Sequence, residues 1–469
     1  MDFFNCIEKY KEQVAITTDY NKNITYSQMI ELGDVISLQI QARSLVFLVC
    51  ENCYESIVAY IGFLRKKIVP VLINPKIDDD MLSFLMESYK PQFIFCNKDW
   101  HAKGEEITVV GNYHLIKTLN EKAPELNPEL AVLITTSGST GSPKLVMQSY
   151  KNIISNANSI AEYLDICEND RAITTMPMSY TYGLSIIQSH LLKGARIIVT
   201  EKTLMDKGFW SLFKEQEATT FGGVPYIYEM LKRLRFGRMD LPSLRYITQA
   251  GGKLSKELAL EFSEICREKG IKLIIMYGQT EATARMAYLP WEYAFDKAGS
   301  MGIPIPGGKM SLIDVDGNEI LESDVVGELV YEGENVTLGY AISVDDLKNE
   351  DQRHGVLQTG DMAKRDADGF YTIVGRKKRF LKLFGNRVNL DETEGLLNKE
   401  GFKCVCGGKD DCMKIYIEQA DETKLINAVD FISSKIGLNR SAFEAIAIDS
   451  IPRNDSGKVL YSKLEELYD

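Results

Sequence analysis

Residues 1–300 alternate between short apolar runs and longer segments in which apolar residues recur at helical spacing. The runs 45–50 and 93–96 have the length and the aliphatic or aromatic content of buried strands. The segments 54–63 and 256–269 have the length and spacing of helices. Alternating strands and helices are typical of a mostly parallel sheet that is covered by helices. The sequence therefore predicts an α/β fold.

The pattern changes beyond Gly302. Segments become shorter and richer in glycine and β-branched residues, as in 371–374, which predicts a β-rich subdomain. The basic run 376–379 then precedes a tail of mixed helix and strand patterns, and we expect a hinge there, although a solvated charged turn would have the same composition. A chain of 469 residues is too long for one hydrophobic core. We predict an N-terminal domain, residues 1–376, and a C-terminal domain, residues 377–469.

The overall charge and the apolar content narrow the class of protein. The formal net charge is −12, which disfavours binding to nucleic acid or to an anionic membrane surface. The first ten residues lack the apolar core of a signal peptide, and the longest apolar runs are too short to span a bilayer. The nine cysteines show no disulfide-type clustering, so we expect free thiols and a cytoplasmic location.

A loop rich in hydroxyl residues and glycine follows the apolar run 130–134. Glycine lets backbone N–H groups approach phosphate oxygens, hydroxyls add donors, and Lys144 supplies positive charge. The loop ends in Pro143-Lys144-Leu145 and not in the Gly-Lys-Ser/Thr of a Walker loop, so a P-loop NTPase is excluded. The alternative is a flexible Ser/Gly linker. We favour a phosphate-binding loop, because a buried strand precedes it.

Three further motifs carry groups suited to nucleotide chemistry. The motif 277–281 ends in Thr280 and Glu281 after an apolar run, and a carboxylate there suits Mg²⁺ bound to ATP phosphates, although an exposed glutamate is the plain alternative. Asp361, in Thr359-Gly360-Asp361, could bind ribose hydroxyls, and a Gly-Asp turn is the alternative. The turn-forming run 452–458 ends in Lys458, whose ammonium could meet charge developing on a phosphoryl group.

Taken in this order, the motifs resemble those of the adenylate-forming superfamily, which includes acyl- and aryl-CoA synthetases, nonribosomal peptide synthetase adenylation domains and firefly luciferase. The resemblance covers nearly the whole chain and begins at Gln13-Val14-Ala15-Ile16 and Ile24-Thr25-Tyr26. It implies a large N-terminal domain of two α/β sheets plus a β-rich subdomain, followed by a small, mobile α+β C-terminal domain. It also implies ATP and Mg²⁺ as cofactors.

The resemblance implies a role for each matching residue. The implied ATP ligands are Thr136, Ser137, Gly138, Ser139, Thr140, Gly141, Lys144, Gly251, Gly252, Tyr277, Asp361 and Arg376. Glu281 matches the residue that holds Mg²⁺ and is implied to be catalytic together with Thr280 and Lys458. The implied substrate-binding residues are Tyr180, Thr181, Tyr182 and Gly183, with Tyr180 as an aromatic gate. Gly385 matches the strand that lines the thiol tunnel, and Lys378 matches the hinge position.

One departure from the family pattern concerns the acid. Adenylation domains for α-amino acids carry an aspartate directly after the gate residue to pair with the ammonium group, and Thr181 stands there in this chain. A buried ammonium without a carboxylate would be costly. We therefore expect a carboxylic acid without an α-amino group. A second departure, Leu145 where relatives have glycine, does not touch the phosphate donors.

A third feature concerns the thiol acceptor. The run 382–392 is similar to the form found in peptide-synthetase and D-alanine–carrier-protein ligases, whereas CoA ligases more often have proline at the position of Leu390. We predict activation of the acid to an acyl-AMP with release of pyrophosphate, then transfer to the phosphopantetheine thiol of a carrier protein acting in trans. One alternative is an acyl- or aryl-CoA synthetase that uses free CoA. The second is a non-catalytic relative that only binds nucleotide.

Overall fold

The computed structural model describes residues 7–120, 122–135, 144–377, 379–453 and 459–468. The chain divides into two compact units. The first unit comprises Met1–Lys309 and Glu332–Leu357, and the second comprises Met310–Tyr331 and Gln358–Asp469. The predicted domain boundary between residues 376 and 377 stays a prediction.

The strands, in chain order, are β1 (Val14–Thr18), β2 (Asn23–Thr25), β3 (Leu45–Val49), β4 (Val69–Ile73), β5 (Phe93–Asn97), β6 (Glu105–Val110), β7 (Tyr113–Lys117), β8 (Leu130–Thr135), β9 (Leu145–Ser149), β10 (Arg171–Ile173), β11 (Arg196–Val199), β12 (Thr220–Gly223), β13 (Tyr246–Gln249), β14 (Lys272–Tyr277), β15 (Ala287–Leu289), β16 (Ile303–Pro304), β17 (Lys309–Ile313), β18 (Val326–Glu332), β19 (Gly339–Ala341), β20 (Val356–Arg365), β21 (Tyr371–Arg376), β22 (Phe380–Leu383), β23 (Asn386–Asn389), β24 (Cys404–Lys409), β25 (Cys412–Glu418) and β26 (Phe443–Ile448). The α-helices are α1 (Tyr26–Ser37), α2 (Tyr54–Arg65), α3 (Asp79–Tyr89), α4 (Tyr150–Tyr163), α5 (Thr181–Leu192), α6 (Lys207–Glu215), α7 (Pro225–Arg233), α8 (Lys256–Lys269), α9 (Leu390–Lys399), α10 (Glu422–Ile436) and α11 (Tyr461–Tyr468).

Two large sheets dominate the first unit. Over the described residues, one sheet has nine strands in the order β16-β15-β14-β13-β12-β10-β11-β1-β2, and the other has eight in the order β19-β9-β8-β4-β3-β5-β7-β6. Strands β12, β13 and β14 pair in parallel, as do β3 and β4. Every residue of β3 and β4 is buried, as expected for strands in the middle of a parallel sheet whose two faces are both covered.

The second unit is smaller and is built from short, mostly antiparallel sheets. Over its described residues, the sheet orders are β17-β18-β20-β21, β22-β23 and β24-β25-β26. Helices α9 and α10 pack with the last of these sheets around a separate apolar cluster that includes Leu397, Ile415 and Ile432. Two layers around one core make this an α+β unit.

Local sequence signals explain several helix ends. The Ser255 hydroxyl accepts a hydrogen bond from the Leu258 N–H and caps the start of α8. The same helix ends at Gly270, whose φ of +69° lies in the left-handed region that glycine adopts most easily. At the start of α4, Ser149 and Asn152 form a reciprocal capping box. The loop between β13 and the Ser255 cap contains two candidate site residues, Gly251 and Gly252.

The predicted fold class is confirmed, because the chain has a large α/β part with two sheets and a smaller α+β part. The strands expected at 45–50 and 93–96 and the helices expected at 54–63 and 256–269 are present within two residues of the expected ends. A search of the described helices finds none that combines the length and the hydropathy needed to cross a bilayer.

Candidate active site

The strands on either side of the predicted phosphate loop are neighbours in the eight-stranded sheet. Strands β8 and β9 pair antiparallel, with Thr135 opposite Leu145. Lys144, at the end of the loop, places its Nζ atom 5.3 Å from the centroid of the Tyr340 ring. Outside the described residues lie Thr136, Ser137, Gly138, Ser139, Thr140, Gly141, Lys378 and Lys458. Their predicted roles stay predictions.

Glu281 follows β14 in a single 3₁₀ turn, Thr280–Ala282. Its side chain contacts β19, the edge strand of the eight-stranded sheet. The Tyr340 hydroxyl of β19 donates a hydrogen bond of 2.5 Å to Oε1 of Glu281. The backbone oxygen of Glu281 accepts hydrogen bonds from the N–H and the hydroxyl of Thr337, at 3.0 Å and 2.9 Å. The two large sheets of the first unit therefore meet at this carboxylate, which is held by both its backbone and its side chain.

Two cations flank the same tyrosine ring. One is Lys144, and the other is Arg353, whose guanidinium carbon lies 4.6 Å from the centroid of the Tyr340 ring. Arg353 also donates a hydrogen bond to the Thr337 hydroxyl. Burial, and then the charge of Glu281, raise the pKa of the Tyr340 phenol, so it keeps its proton and donates it. One carboxylate beside two cations is a charge pattern suited to a metal ion and phosphate oxygens.

Replacing Tyr340 by phenylalanine should remove the hydrogen bond to Glu281 while keeping the ring that Lys144 and Arg353 face. We expect acid-dependent pyrophosphate release to lose about fivefold in kcat/KM for Mg-ATP, equivalent to about 1 kcal/mol for one hydrogen bond. Tyr89→Phe is the matched control, because it removes a 2.9 Å hydrogen bond to the Ala341 carbonyl that does not involve Glu281. Equal losses in the two variants would show that the Tyr340 hydroxyl acts only on stability.

The predicted acyl residues lie at the start of α5. The Thr181 hydroxyl oxygen is 3.4 Å from that of Thr280, so the structure brings a predicted substrate residue and a predicted catalytic residue together. Tyr180 lies against Gly251, since a Cβ added to Gly251 would come 2.6 Å from the Tyr180 hydroxyl oxygen. Gly251 also has a φ of +79°, so any larger residue there would have both an unfavourable backbone conformation and a clash with Tyr180. Burial raises the pKa of the Tyr180 phenol to about 12.

Tyr182 points into the nine-stranded sheet from α5. Its hydroxyl donates to the Thr248 carbonyl at 2.8 Å and accepts from the Gly223 N–H at 3.1 Å. The Arg285 guanidinium carbon lies 4.1 Å from the centroid of the same ring. These contacts fix the position of the Tyr182 ring.

The remaining predicted residues of this unit occupy nearby strand and helix ends. A Cβ on Gly183 would lie 2.2 Å from the Pro177 carbonyl oxygen, so glycine allows the first turn of α5 to pack closely on the preceding loop. Gly252 follows β13 after Gly251, and Tyr277 ends β14, where its hydroxyl accepts a hydrogen bond of 3.2 Å from Gln279. Gly251, Gly252 and Tyr277 therefore lie at the edge of the nine-stranded sheet where β13 and β14 end.

Asp361 and Arg376 form a candidate ribose site within the second unit. They are direct partners on β20 and β21, and Nε of Arg376 lies 3.2 Å from Oδ1 of Asp361. Asp361 is only 4% exposed, whereas the Arg376 side chain is largely exposed. The alternative that Thr359-Gly360-Asp361 is a plain turn is wrong, because these residues lie inside β20.

Gly385 lies in the two-residue turn between β22 and β23. Its φ is +83° and that of Phe384 is +49°, the pair of positive values that a tight hairpin of this length requires. A Cβ on Gly385 would meet no atom within 4 Å, so the space beside it is open. Its predicted role in the thiol tunnel stays a prediction.

Sequence reasoning missed three residues that surround the predicted ones: Tyr340, Arg353 and Arg285. The first two belong to no motif and reach Glu281 from residues far along the chain. Arg285 gave one signal, since it is the single charged residue in the run 282–291 that directly follows Glu281. An isolated charge in an apolar segment points to a buried functional group.

Known proteins resemble this chain over most of its length. Residues 3–341 match the family model described as AMP-binding enzyme. The chain is 26% identical over 475 residues to the 2-succinylbenzoate–CoA ligase of Bacillus cereus (strain Q1), and the alignment covers 97% of this chain and 96% of that protein.

Solved structures show the same fold. The o-succinylbenzoate coenzyme A synthetase of Bacillus subtilis, in complex with ATP and magnesium ion, superposes with a TM-score of 0.80 at 21% identity and covers 99% of each chain. A fatty acyl CoA synthetase of Mycobacterium tuberculosis gives a TM-score of 0.74 at 20% identity and covers 100% of this chain and 98% of that one. The family match over residues 3–341, together with this fold and the motifs above, shows that the chain belongs to the AMP-binding enzyme family, within the adenylate-forming superfamily.

Proposed function

We propose that this enzyme uses ATP to activate a carboxylic acid as an acyl-adenylate, with release of pyrophosphate, and then transfers the acyl group to the thiol of CoA. The chain is an acid–thiol ligase of the adenylate-forming class. The observation that carries the proposal is the group formed by Glu281, Lys144 and Arg353 around Tyr340, in a chain of the AMP-binding family.

The proposed acceptor differs from the one that the sequence predicted. A carrier protein was inferred from the run 382–392, with Leu390 as the main departure from CoA ligases. The relatives that align over nearly all of this chain are named as CoA ligases, which favours the alternative, free CoA. The proposal therefore gives the names of these relatives more weight than the single position Leu390.

Each candidate residue has a task in adenylation. The acid's carboxylate attacks the α-phosphorus of ATP, and positioning and charge neutralisation supply most of the rate. Lys144 and Arg353 supply positive charge for the departing pyrophosphate, and Asp361 accepts hydrogen bonds from the ribose hydroxyls. The Glu281 carboxylate and the Thr280 hydroxyl are oxygen ligands of the kind that Mg²⁺ takes. When bound, Mg²⁺ would add neutralising charge on the phosphates. Lys458 is proposed to bridge the carboxylate and the α-phosphate.

The acid is proposed to lack an α-amino group. Thr181, where amino-acid-activating relatives place an aspartate, is 5% exposed and offers a hydroxyl without charge. Arg285 contributes a buried positive charge beside Tyr182, which would repel an ammonium group. Both observations favour an acid that carries no cation near its carboxylate.

The test is thioester formation with two acceptors. The purified protein is incubated with ATP, Mg²⁺ and a panel of acids that includes 2-succinylbenzoate, short and long fatty acids, benzoates and several amino acids. Either CoA or a phosphopantetheinylated carrier protein is added, and products are identified by mass spectrometry. We expect an acyl-CoA from an acid without an α-amino group. An acylated carrier protein without acyl-CoA would contradict the proposed acceptor, and turnover restricted to amino acids would contradict the proposed acid.

A further inference from the structure

Thr283, which follows Glu281 closely in the chain, has an unusual backbone conformation. Its φ is +66° and its ψ is −51°, a combination that residues other than glycine rarely adopt. The Ala284 N–H donates to the Ala282 carbonyl at 2.7 Å, so residues 282–284 form a γ-turn of the strained type with positive φ. A β-branched side chain adds to this strain because it crowds the backbone. The rest of the structure must therefore hold the turn in place.

Buried polar side chains from distant parts of the chain hold this turn. The Asn335 amide nitrogen donates to the Ala282 and Arg285 carbonyls, at 2.9 Å each. The Thr283 hydroxyl donates in return to the Asn335 carbonyl at 2.7 Å. The Gln148 amide nitrogen donates to the Thr283 carbonyl at 3.3 Å. Asn335 is 3% exposed and Gln148 is fully buried, so these hydrogen bonds are shielded from water.

The segment that contains Asn335 also holds Glu281. Thr337 donates its N–H and its hydroxyl to the Glu281 carbonyl, at 3.0 Å and 2.9 Å. Tyr340 donates to the Glu281 carboxylate. Residues 335–340 therefore contact the backbone of Glu281, its side chain and the strained turn that follows it. Backbone strain persists only where the surrounding structure enforces it, and it is concentrated at functional sites.

The plain alternative is that the turn only reverses the chain between β14 and β15. Residues 278–286 make this connection, and a connection of that length can be built from unstrained turns. The side-chain oxygen of buried Gln148 has no donor among the described residues, which is a second unfavourable feature at the same place. Chain reversal explains neither feature, whereas a requirement for one position of Glu281 explains both.

We propose that Asn335 is a positioning residue for adenylation, which holds the strained turn at Thr283 and thereby fixes the orientation of Glu281 and Thr280. The inference rests on the proposed function and adds a residue to the same site. Asn335 acts only through this turn, because its amide is engaged by the Ala282 and Arg285 carbonyls. A displaced turn would move the Glu281 carboxylate relative to Mg-ATP, and displacements of about 1 Å strongly reduce catalysis.

The first variant, Asn335→Asp, keeps the shape of the side chain but replaces the donating amide with an acceptor that faces two carbonyl oxygens. Acid-dependent pyrophosphate exchange is measured over a range of Mg²⁺ concentrations. We expect kcat to fall about thirtyfold and half-maximal activity to need about fivefold more Mg²⁺, because the displaced turn misplaces Glu281. The KM for the acid should not change.

Asn127→Asp is the matched control. Asn127 is also buried, and its amide nitrogen donates to the Asn349 carbonyl at 2.8 Å, a contact that does not involve the Glu281 turn. We expect Asn127→Asp to lower the Tm as Asn335→Asp does. Its rate of exchange and its Mg²⁺ dependence should remain those of the wild-type enzyme.

A second variant, Thr283→Gly, separates positioning from stability. Glycine adopts positive φ without strain, so the Tm of this variant should stay the same or rise. The variant also loses the hydrogen bond to the Asn335 carbonyl and frees the turn. We expect exchange to slow about tenfold and to need more Mg²⁺, the loss of function that accompanies relief of a strained site. A merely structural turn would not give a slower enzyme of equal or greater stability.

The outcomes distinguish this inference from the proposed function. Wild-type rates and Mg²⁺ dependence in Thr283→Gly would overturn the inference and leave the proposed function intact. So would a loss of activity in Asn335→Asp no larger than that in Asn127→Asp. If Asn335→Asp does not fold, Thr283→Gly decides the question. Absence of exchange in the wild-type enzyme with any acid, while ATP still binds, would instead overturn the proposed function itself.

Discussion

Replacing Glu281 by glutamine should lower the rate of acid-dependent pyrophosphate release roughly a hundredfold or more, the usual cost of losing a charge that acts on the transition state. Glutamine keeps the shape of the side chain and an oxygen that can accept the Tyr340 hydrogen bond. The substitution therefore removes the negative charge and leaves the local packing. Rates measured over a range of Mg²⁺ concentrations should also require more Mg²⁺ for half-maximal activity.

A nearby glutamate provides the control for this prediction. Glu334 forms an exposed ion pair of 3.1 Å with Lys151, and exposed pairs contribute little. Glu334→Gln should therefore leave both the rate and the Mg²⁺ dependence unchanged. If Glu281→Gln behaved like Glu334→Gln, Glu281 would be a structural residue and the assignment of the metal ligand would be wrong.

Replacing Asp361 by asparagine should raise KM for ATP about thirtyfold, which corresponds to about 2 kcal/mol of binding free energy. The reason is that two hydroxyl groups of the ribose would then donate to a neutral amide in place of a carboxylate. The turnover number should change less, because the ribose contacts are similar in the ground state and the transition state. Isothermal titration with ATP, followed by steady-state kinetics, measures both effects.

The matched variant in the same unit is Asp324→Asn. Asp324 is exposed, pairs with Lys364 at 2.8 Å, and has a φ of +62°, a conformation that asparagine tolerates well. We expect unchanged ATP affinity and nearly unchanged stability. A normal KM for ATP in Asp361→Asn would mean that this buried carboxylate serves only its ion pair with Arg376.

Local sequence patterns were sufficient to predict the strands at 45–50 and 93–96 and the helices at 54–63 and 256–269. The helix predicted over residues 256–269 is α8, which ends where Gly270 adopts a φ of +69°. The Gly-Asp turn that was the alternative interpretation at residue 360 is wrong, because this residue is part of β20. There, the pairing of Asp361 with Arg376 on the neighbouring strand outweighs the local preference for a turn.

The site was predictable only where its residues lie inside motifs. Thr280 and Glu281 were found in a motif that follows an apolar run, whereas Gly251, after β13, was implied only by the resemblance to the superfamily. Tyr340 and Arg353 come to Glu281 through the pairing of β19 with β9 and through the segment that follows, contacts that no short window of sequence contains. The significance of Arg285 depends on its burial and on its contact with the Tyr182 ring, which are properties of the packed structure.

Acid-dependent exchange of labelled pyrophosphate into ATP tests the central claim most directly, because it reports acyl-adenylate formation without any thiol acceptor. The account predicts exchange that requires the enzyme, Mg²⁺ and a carboxylic acid, proceeds without CoA, and is abolished or nearly so in Glu281→Gln. Exchange that does not depend on any acid, or none with a broad panel of acids while ATP still binds, would contradict it.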